Sequence, residues 1–196
     1  MIEYTVEVYA DGDKFWFLNG KRHREDGPAI EDAYGSKAWY LNGKLHREDG
    51  PAIEDTDGYK FWHFNGNLHR EDGPAIEGTD GDKAWYLNGK LHREDGPAIE
   101  DTDGDKAWYL NGKLHREGGP AIEDTEGYKY WYLNGKYVTE EEHNLAMNPV
   151  VEEMTMEEIC KALGKSVKVI KWLNIQCRTG IRPKTNQITK LLSQPT

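Results

Sequence analysis

The stretch Lys83-Ala84-Trp85-Tyr86-Leu87-Asn88-Gly89-Lys90-Leu91-His92-Arg93-Glu94-Asp95-Gly96-Pro97-Ala98-Ile99-Glu100 decides how this chain folds. It recurs almost verbatim from Lys37, Lys60 and Lys106, and more loosely from Lys14 and Lys129, at a spacing of 23 residues each time. A fixed period of this length marks a repeat array, in which a unit covers its apolar side only by stacking on its neighbours.

Two turns punctuate each unit. Asn88-Gly89, with counterparts at 19–20, 42–43, 65–66, 111–112 and 134–135, is a hairpin signal, because a type I′ turn takes positive φ at both central positions. That turn sets Leu87 opposite Lys90, Tyr86 opposite Leu91 and Trp85 opposite His92. Asp103-Gly104 leads into the next unit and is expected to set Ile99 opposite Trp108, Ala98 opposite Tyr109 and Asp101 opposite Lys106. Side chains alternate along a strand, so Trp, Leu, His and Ile are expected on one face and Tyr, Leu, Ala and Arg on the other. Trp16, Trp39, Trp62, Trp85, Trp108 and Trp131 then form a structural spine, each packed between an Ile and a His ring. A lone hairpin is marginal in water, so contacts between neighbouring units must supply the stability. In the link His92-Arg93-Glu94-Asp95-Gly96-Pro97, Pro fixes φ and Gly accepts angles closed to other residues. Gly118 takes the place of the Asp in the fifth unit.

The ends differ from the middle. Residues 1–13 read as an N-terminal capping strand ending at Asp11-Gly12, and residues 14–138 as six hairpin repeats. Residues 139–196 form an appendage of two short helices, one strand and a basic tail. Thr139 with Glu142 has capping-box spacing and predicts a helix to about Met147, stopped by Asn148-Pro149. Thr155 with Glu158 starts the second helix, and Val167 to Leu173 alternates like a strand. Ile188, Leu191 and Leu192 are expected on a short helix at best. The fold class is therefore mainly β: an elongated, single-layer antiparallel array with a small α/β C-terminal appendage.

Trp85, Asn88-Gly89-Lys90, His92, Gly96 and Asp103-Gly104 at a period of 23 resemble the MORN repeat. The wording Trp-Tyr-Leu-Asn-Gly-Lys-Leu-His-Arg-Glu-Asp-Gly-Pro-Ala is similar to repeats in tailed-bacteriophage proteins of unassigned role. The ending from Met154 to Lys171 looks like a closing segment of phage proteins. The link from His to Pro is longer than a MORN connection. The resemblance implies hairpins stacked into an elongated sheet, protein or lipid contact, and no catalytic residues.

Charge is unevenly divided. From Lys161 onward there are eight Lys or Arg and no Asp or Glu, so the rest of the chain carries −18 against a total of −10. An acidic body repels nucleic-acid backbones and anionic membranes, which makes nucleic acid an expectation for the basic tail alone. Cys160 and Cys177 are too few for a disulfide framework, and no signal peptide or bilayer-spanning apolar run is present. Cytoplasmic placement, in a host cell if phage-encoded, is the expectation.

Three features invite chemistry. The row His23, His46, His69, His92, His115 cannot close three or four ligands around one metal if its members lie about 9–10 Å apart. Asp101-Thr102-Asp103-Gly104-Asp105 lacks the further oxygens and closing Glu of a calcium loop. The Arg-Glu-Asp triplets repeat one set of groups at every station, whereas catalysis needs unlike groups converging on one pocket. No enzyme, cofactor or metal is expected, and the triplets read as ion pairs bracing the link. The row Phe17, Tyr40, His63, Tyr86, Tyr109, Tyr132 is expected to face away from the Trp spine, partly exposed, as an interface for a host or viral protein. The reading is a non-enzymatic protein-binding scaffold, with counter-defence inhibition or mimicry of a DNA backbone as uses for its spaced carboxylates. Assembly by homo-oligomerisation through residues 139–196, and binding of a small ligand or nucleotide signal, are the alternatives.

Overall fold

The computed structural model describes residues 3–149 in full and the backbone of 168–172 and 189–192. The chain divides into two units, Met1–Asn148 and Pro149–Thr196. The mainly β architecture is present: a long antiparallel sheet, without barrel closure and with one short helix among the described residues.

The first repeat contributes three strands and every later one two to a sheet of fourteen. Lys83–Ala84 pairs with Ile76–Glu77 on one side and Ile99–Glu100 on the other, and Ile99–Glu100 then pairs with Lys106–Ala107. In repeats two to five a second, smaller hairpin, as Tyr86–Leu87 against Lys90–Leu91, is separate from the long sheet. Its register is the expected one, Tyr86 opposite Leu91 and Leu87 opposite Lys90. Asn88 and Gly89 have φ of 51° and 77°, the positive values that a type I′ turn requires. Trp85 sits where the strand changes partners. Its N–H donates to the Ala98 carbonyl (2.8 Å) in the long sheet, and its own carbonyl accepts from the His92 N–H (3.0 Å) in the small hairpin.

The second turn differs from expectation by one residue. Ile99 lies opposite Ala107, not Trp108, and Glu100 opposite Lys106, not Asp101. The cause is a three-residue loop, Thr102-Asp103-Gly104. Gly104 N–H donates to the Asp101 carbonyl (3.1 Å), and Asp101 N–H donates to the Asp105 carbonyl (3.2 Å). Gly104, with φ of 96°, takes the left-handed position that lets such a loop rejoin the ladder. The Asp101 carboxylate accepts from the Asp105 N–H (3.0 Å), which pins the wider loop.

The tightest points of the array are methyl groups. Ala29, Ala52, Ala75, Ala98 and Ala121 have no exposed surface, and no large side chain is fully buried among the described residues. Ala98 is held on both sides: its N–H donates to the Ala107 carbonyl of the next repeat, while its own carbonyl accepts from Trp85.

The two ends of the array are closed differently. Thr5–Val8 pairs with Lys14–Leu18 as the capping strand. At the other end Lys129–Leu133 pairs with Lys136–Val138, and helix α1 (Glu140–Met147) follows. Thr139 and Glu142 form the expected reciprocal box, Glu142 N–H to Thr139 Oγ1 (3.1 Å) and Thr139 N–H to Glu142 Oε2 (2.8 Å). In the second unit Lys168–Trp172 is the expected strand, and Thr189–Leu192 is its antiparallel partner rather than a helix. Pairing with a ready strand edge supplies backbone hydrogen bonds that a segment of one helical turn cannot. The expected helix from Thr155 lies outside the described residues.

Candidate functional site

Arginine is the centre of each station. Arg93 Nε donates to Asp95 Oδ1 (2.9 Å), while Nη1 donates to the Pro97 carbonyl (3.1 Å) and to Glu100 Oε1 (2.9 Å). The guanidinium lies over the Trp85 ring, 3.9 Å from its centroid. The same set recurs around Arg24, Arg47 and Arg70; Arg116 keeps all but the Asp. Arg and Trp therefore share a side, whereas alternation had placed them on opposite faces. The ladder breaks at Arg93, whose N–H donates across to the Tyr109 carbonyl of the next repeat (3.1 Å), and strand alternation ends with it. The hydrogen bond and charge of Arg93 hold the Asp95 carboxyl below its ordinary range, and Arg47 and Arg70 do the same for Asp49 and Asp72.

Gly96 serves this arginine by its size. A Cβ there would stand 2.8 Å from the Arg93 Cζ, and its φ is not among the positive ones. The glycine makes room for the guanidinium, and conformational freedom is not its reason.

The His row ties repeats together. His92 Nδ1 accepts the backbone N–H of Asn111 at 3.1 Å, and His23, His46, His69 and His115 take Asn42, Asn65, Asn88 and Asn134 in the same way. Nε2 of each faces the neighbouring Glu at 3.6–3.9 Å. The aromatic rings paired with this row are Tyr4 against His23 and Phe64 against His46 and His69, in place of the Trp stacking expected from the register.

Open pockets lie between successive repeats, along the Trp side. One of about 510 Å³ has Trp108, Leu110 and His115 as its floor, with Arg93–Gly96 and Arg116–Gly118 as walls. Equivalent hollows of about 610 and 1030 Å³ surround Trp39 and Trp62. The acidic rims are well exposed: the side chains of Glu48, Glu71 and Glu94 keep 79–85% of their surface. At the far end Trp131 faces helix α1, whose buried His143 donates from Nε2 to the Arg116 carbonyl (2.8 Å).

Sequence reasoning assigned the Trp residues to structure and did not find these hollows. The longer His-Arg-Glu-Asp-Gly-Pro link was the available signal, since it builds their walls.

Phe17, Tyr40, His63, Tyr86, Tyr109 and Tyr132 are all half-buried, and none lines these pockets. The row is continuous at its C-terminal half, where burial, with Tyr86 and Tyr132 nearby, pushes the Tyr109 phenol up. His63 Nδ1 is buried without a partner. Burial pushes the His63 pKa down, against a smaller opposing effect of a hydrogen bond that the ring donates to the Phe61 backbone.

Among the described residues no group of three or more His, Cys, Asp or Glu is arranged to hold a metal ion, and no helix is long and apolar enough to cross a membrane. The chain matches no protein-family model and no curated protein.

Proposed function

We propose that the array is a non-enzymatic protein-binding scaffold, built from MORN-like hairpins. The observation that carries this reading is the recurrence of one open, Trp-floored, acid-rimmed hollow between repeats. A repeating surface of this kind suits an extended partner that touches several stations, each adding a modest increment. At the first four stations the Arg is already committed to Trp, Asp, Glu and a carbonyl, which suits bracing better than proton transfer. The phage-like wording of the repeat supports a host or viral protein as the partner.

The test is capture with the intact chain as bait, followed by binding measurements with the purified partner. The wild type is compared with Glu48→Gln/Glu71→Gln/Glu94→Gln and with Tyr86→Ala/Tyr109→Ala. Loss of binding in the first variant alone supports the pocket side, and loss in the second alone supports the Tyr row. A partner bound equally by all three proteins overturns the reading.

A further inference from the structure

Resting on that protein-binding reading, we infer that the pocket side takes an extended peptide with Lys or Arg at every third residue. The argument combines charge, floor and pitch. In repeats one to four the link sets two exposed carboxylates, such as Glu48 and Asp49, beside one guanidinium, so each station keeps an unmatched negative charge. Gly118 cancels that excess in the fifth, and the charged groove therefore has four stations.

The carboxylates are placed but not saturated. Asp49 spends one oxygen on Arg47 Nε (2.9 Å), and Glu48 stands 3.7 Å from His46 Nε2. A Lys or Arg side chain matches such a hollow along its length. Its methylene stem lies on Trp and on Leu, or on Phe64 at the Trp62 hollow, and its charged head reaches the rim.

Pitch selects the backbone of the ligand. Each repeat adds two strands to the long sheet, so stations recur at about 9–10 Å. A polyproline II chain advances about 9.3 Å in its three-residue turn, so every third side chain points the same way at nearly this spacing. Four stations accept a segment of about ten residues with cations at its first, fourth, seventh and tenth positions. A nucleic-acid strand brings charge of the wrong sign to the same rim.

The experiment uses the full chain and two synthetic ten-residue peptides of identical composition, rich in Pro and Ala with four Lys. One has Lys at every third position; the other has the four Lys contiguous. Calorimetric titration at low and at physiological salt should show the periodic peptide binding at least about tenfold tighter, because only it engages the stations together. Glu48→Gln/Glu71→Gln/Glu94→Gln should remove most of that preference while leaving the melting temperature and circular dichroism close to wild type. Equal binding of the two peptides, or binding that vanishes for both at physiological salt, overturns the inference. Neither result touches a partner captured through the Tyr row, so the broader reading fails or stands separately.

Discussion

His92 Nδ1 accepts the backbone N–H of Asn111, nineteen residues later in the chain, at 3.1 Å. The bond sits between two backbone ones, Arg93 N–H to the Tyr109 carbonyl and Gly112 N–H to the Leu91 carbonyl. Two residues lie between Tyr109 and Gly112, and only one lies between Leu91 and Arg93. The next hairpin thus has one N–H more than the ladder can accept, and the imidazole takes it. A histidine recurs here because its ring nitrogen replaces a missing backbone carbonyl.

Replacing His92 by Phe keeps a ring and removes the acceptor. Losing the bond at this exposed turn costs about 0.5–1.5 kcal/mol. The expected outcome is a lower denaturation midpoint together with faster hydrogen exchange at the Asn111 amide. Unchanged exchange at Asn111 would show that the bond carries no stability.

Gly96→Ala places a methyl group where the Arg93 guanidinium lies. The arginine must then leave Trp85, Asp95 or Glu100. A loss of about 1–3 kcal/mol is expected from overpacking and forfeited charge-assisted bonds. Gly118→Ala is the control, because a Cβ there meets nothing within 4 Å. Equal stability of the two variants would exclude the crowding argument.

One station lacks a bond that its neighbours make. Asp82 accepts from the Thr102 N–H and Asp105 from the Thr125 N–H, both at 2.8 Å, and Asp13 holds Ala33 likewise. Tyr59 occupies the equivalent position before Thr79. Tyr59→Asp is expected to raise stability by about 0.5–1.5 kcal/mol, read from the urea midpoint. A lower midpoint would mean that Tyr59, which stacks on Phe61 at 6.4 Å, matters more where it is.

His63 gives a pH dependence whose sign is fixed by burial. Its folded pKa lies below the ordinary 6.5, so the unfolded chain binds the proton more readily. The neutral ring's contribution is complete above 6.5 and is lost as pH falls from there through the depressed folded value. His63→Tyr restores the residue found in the neighbouring repeats and removes that term. Its stability advantage over wild type should grow as pH falls below 6.5, in paired melts across pH. A constant difference would mean that the buried ring is not strained by its proton.

Thr139→Ala removes half of the box that starts α1. An N-cap lost in this way costs about 1 kcal/mol. Because α1 and Trp131 line the same pocket, the change should appear first as increased accessibility of that indole to a fluorescence quencher. Loosening spread evenly through all repeats would contradict this.

The hairpin register was legible because Asn88-Gly89 specifies both φ values and the number of turn residues. Asp103-Gly104 specified only one left-handed position; it did not reveal that Thr102 joins the loop, and the register to Trp108 slipped by one. The capping box at Thr139 was plain from two residues three apart. The pairing of Arg93 with Trp85 was hidden, since alternation holds only while the strand runs and says nothing after it breaks. For the same reason the hollows were invisible: they lie between a link of irregular backbone and the floor of the following repeat. The role of Gly96 had no local signature, because what it avoids is a side chain three residues earlier.

The closed alanine joints have a consequence for how such a protein changes over time. Each junction repeats the same two kinds of bond, the alanine backbone bond of Ala98 to Ala107 and the imidazole bond of His92 to Asn111, between adjacent units. Nothing inside the array therefore records how many units there are; only the capping strand and α1 mark its limits. Unequal crossing-over within the gene can lengthen or shorten the chain by whole 23-residue steps and leave every surviving joint intact. Length becomes a heritable dial, turned in increments of about 9–10 Å without the redesign of a single contact.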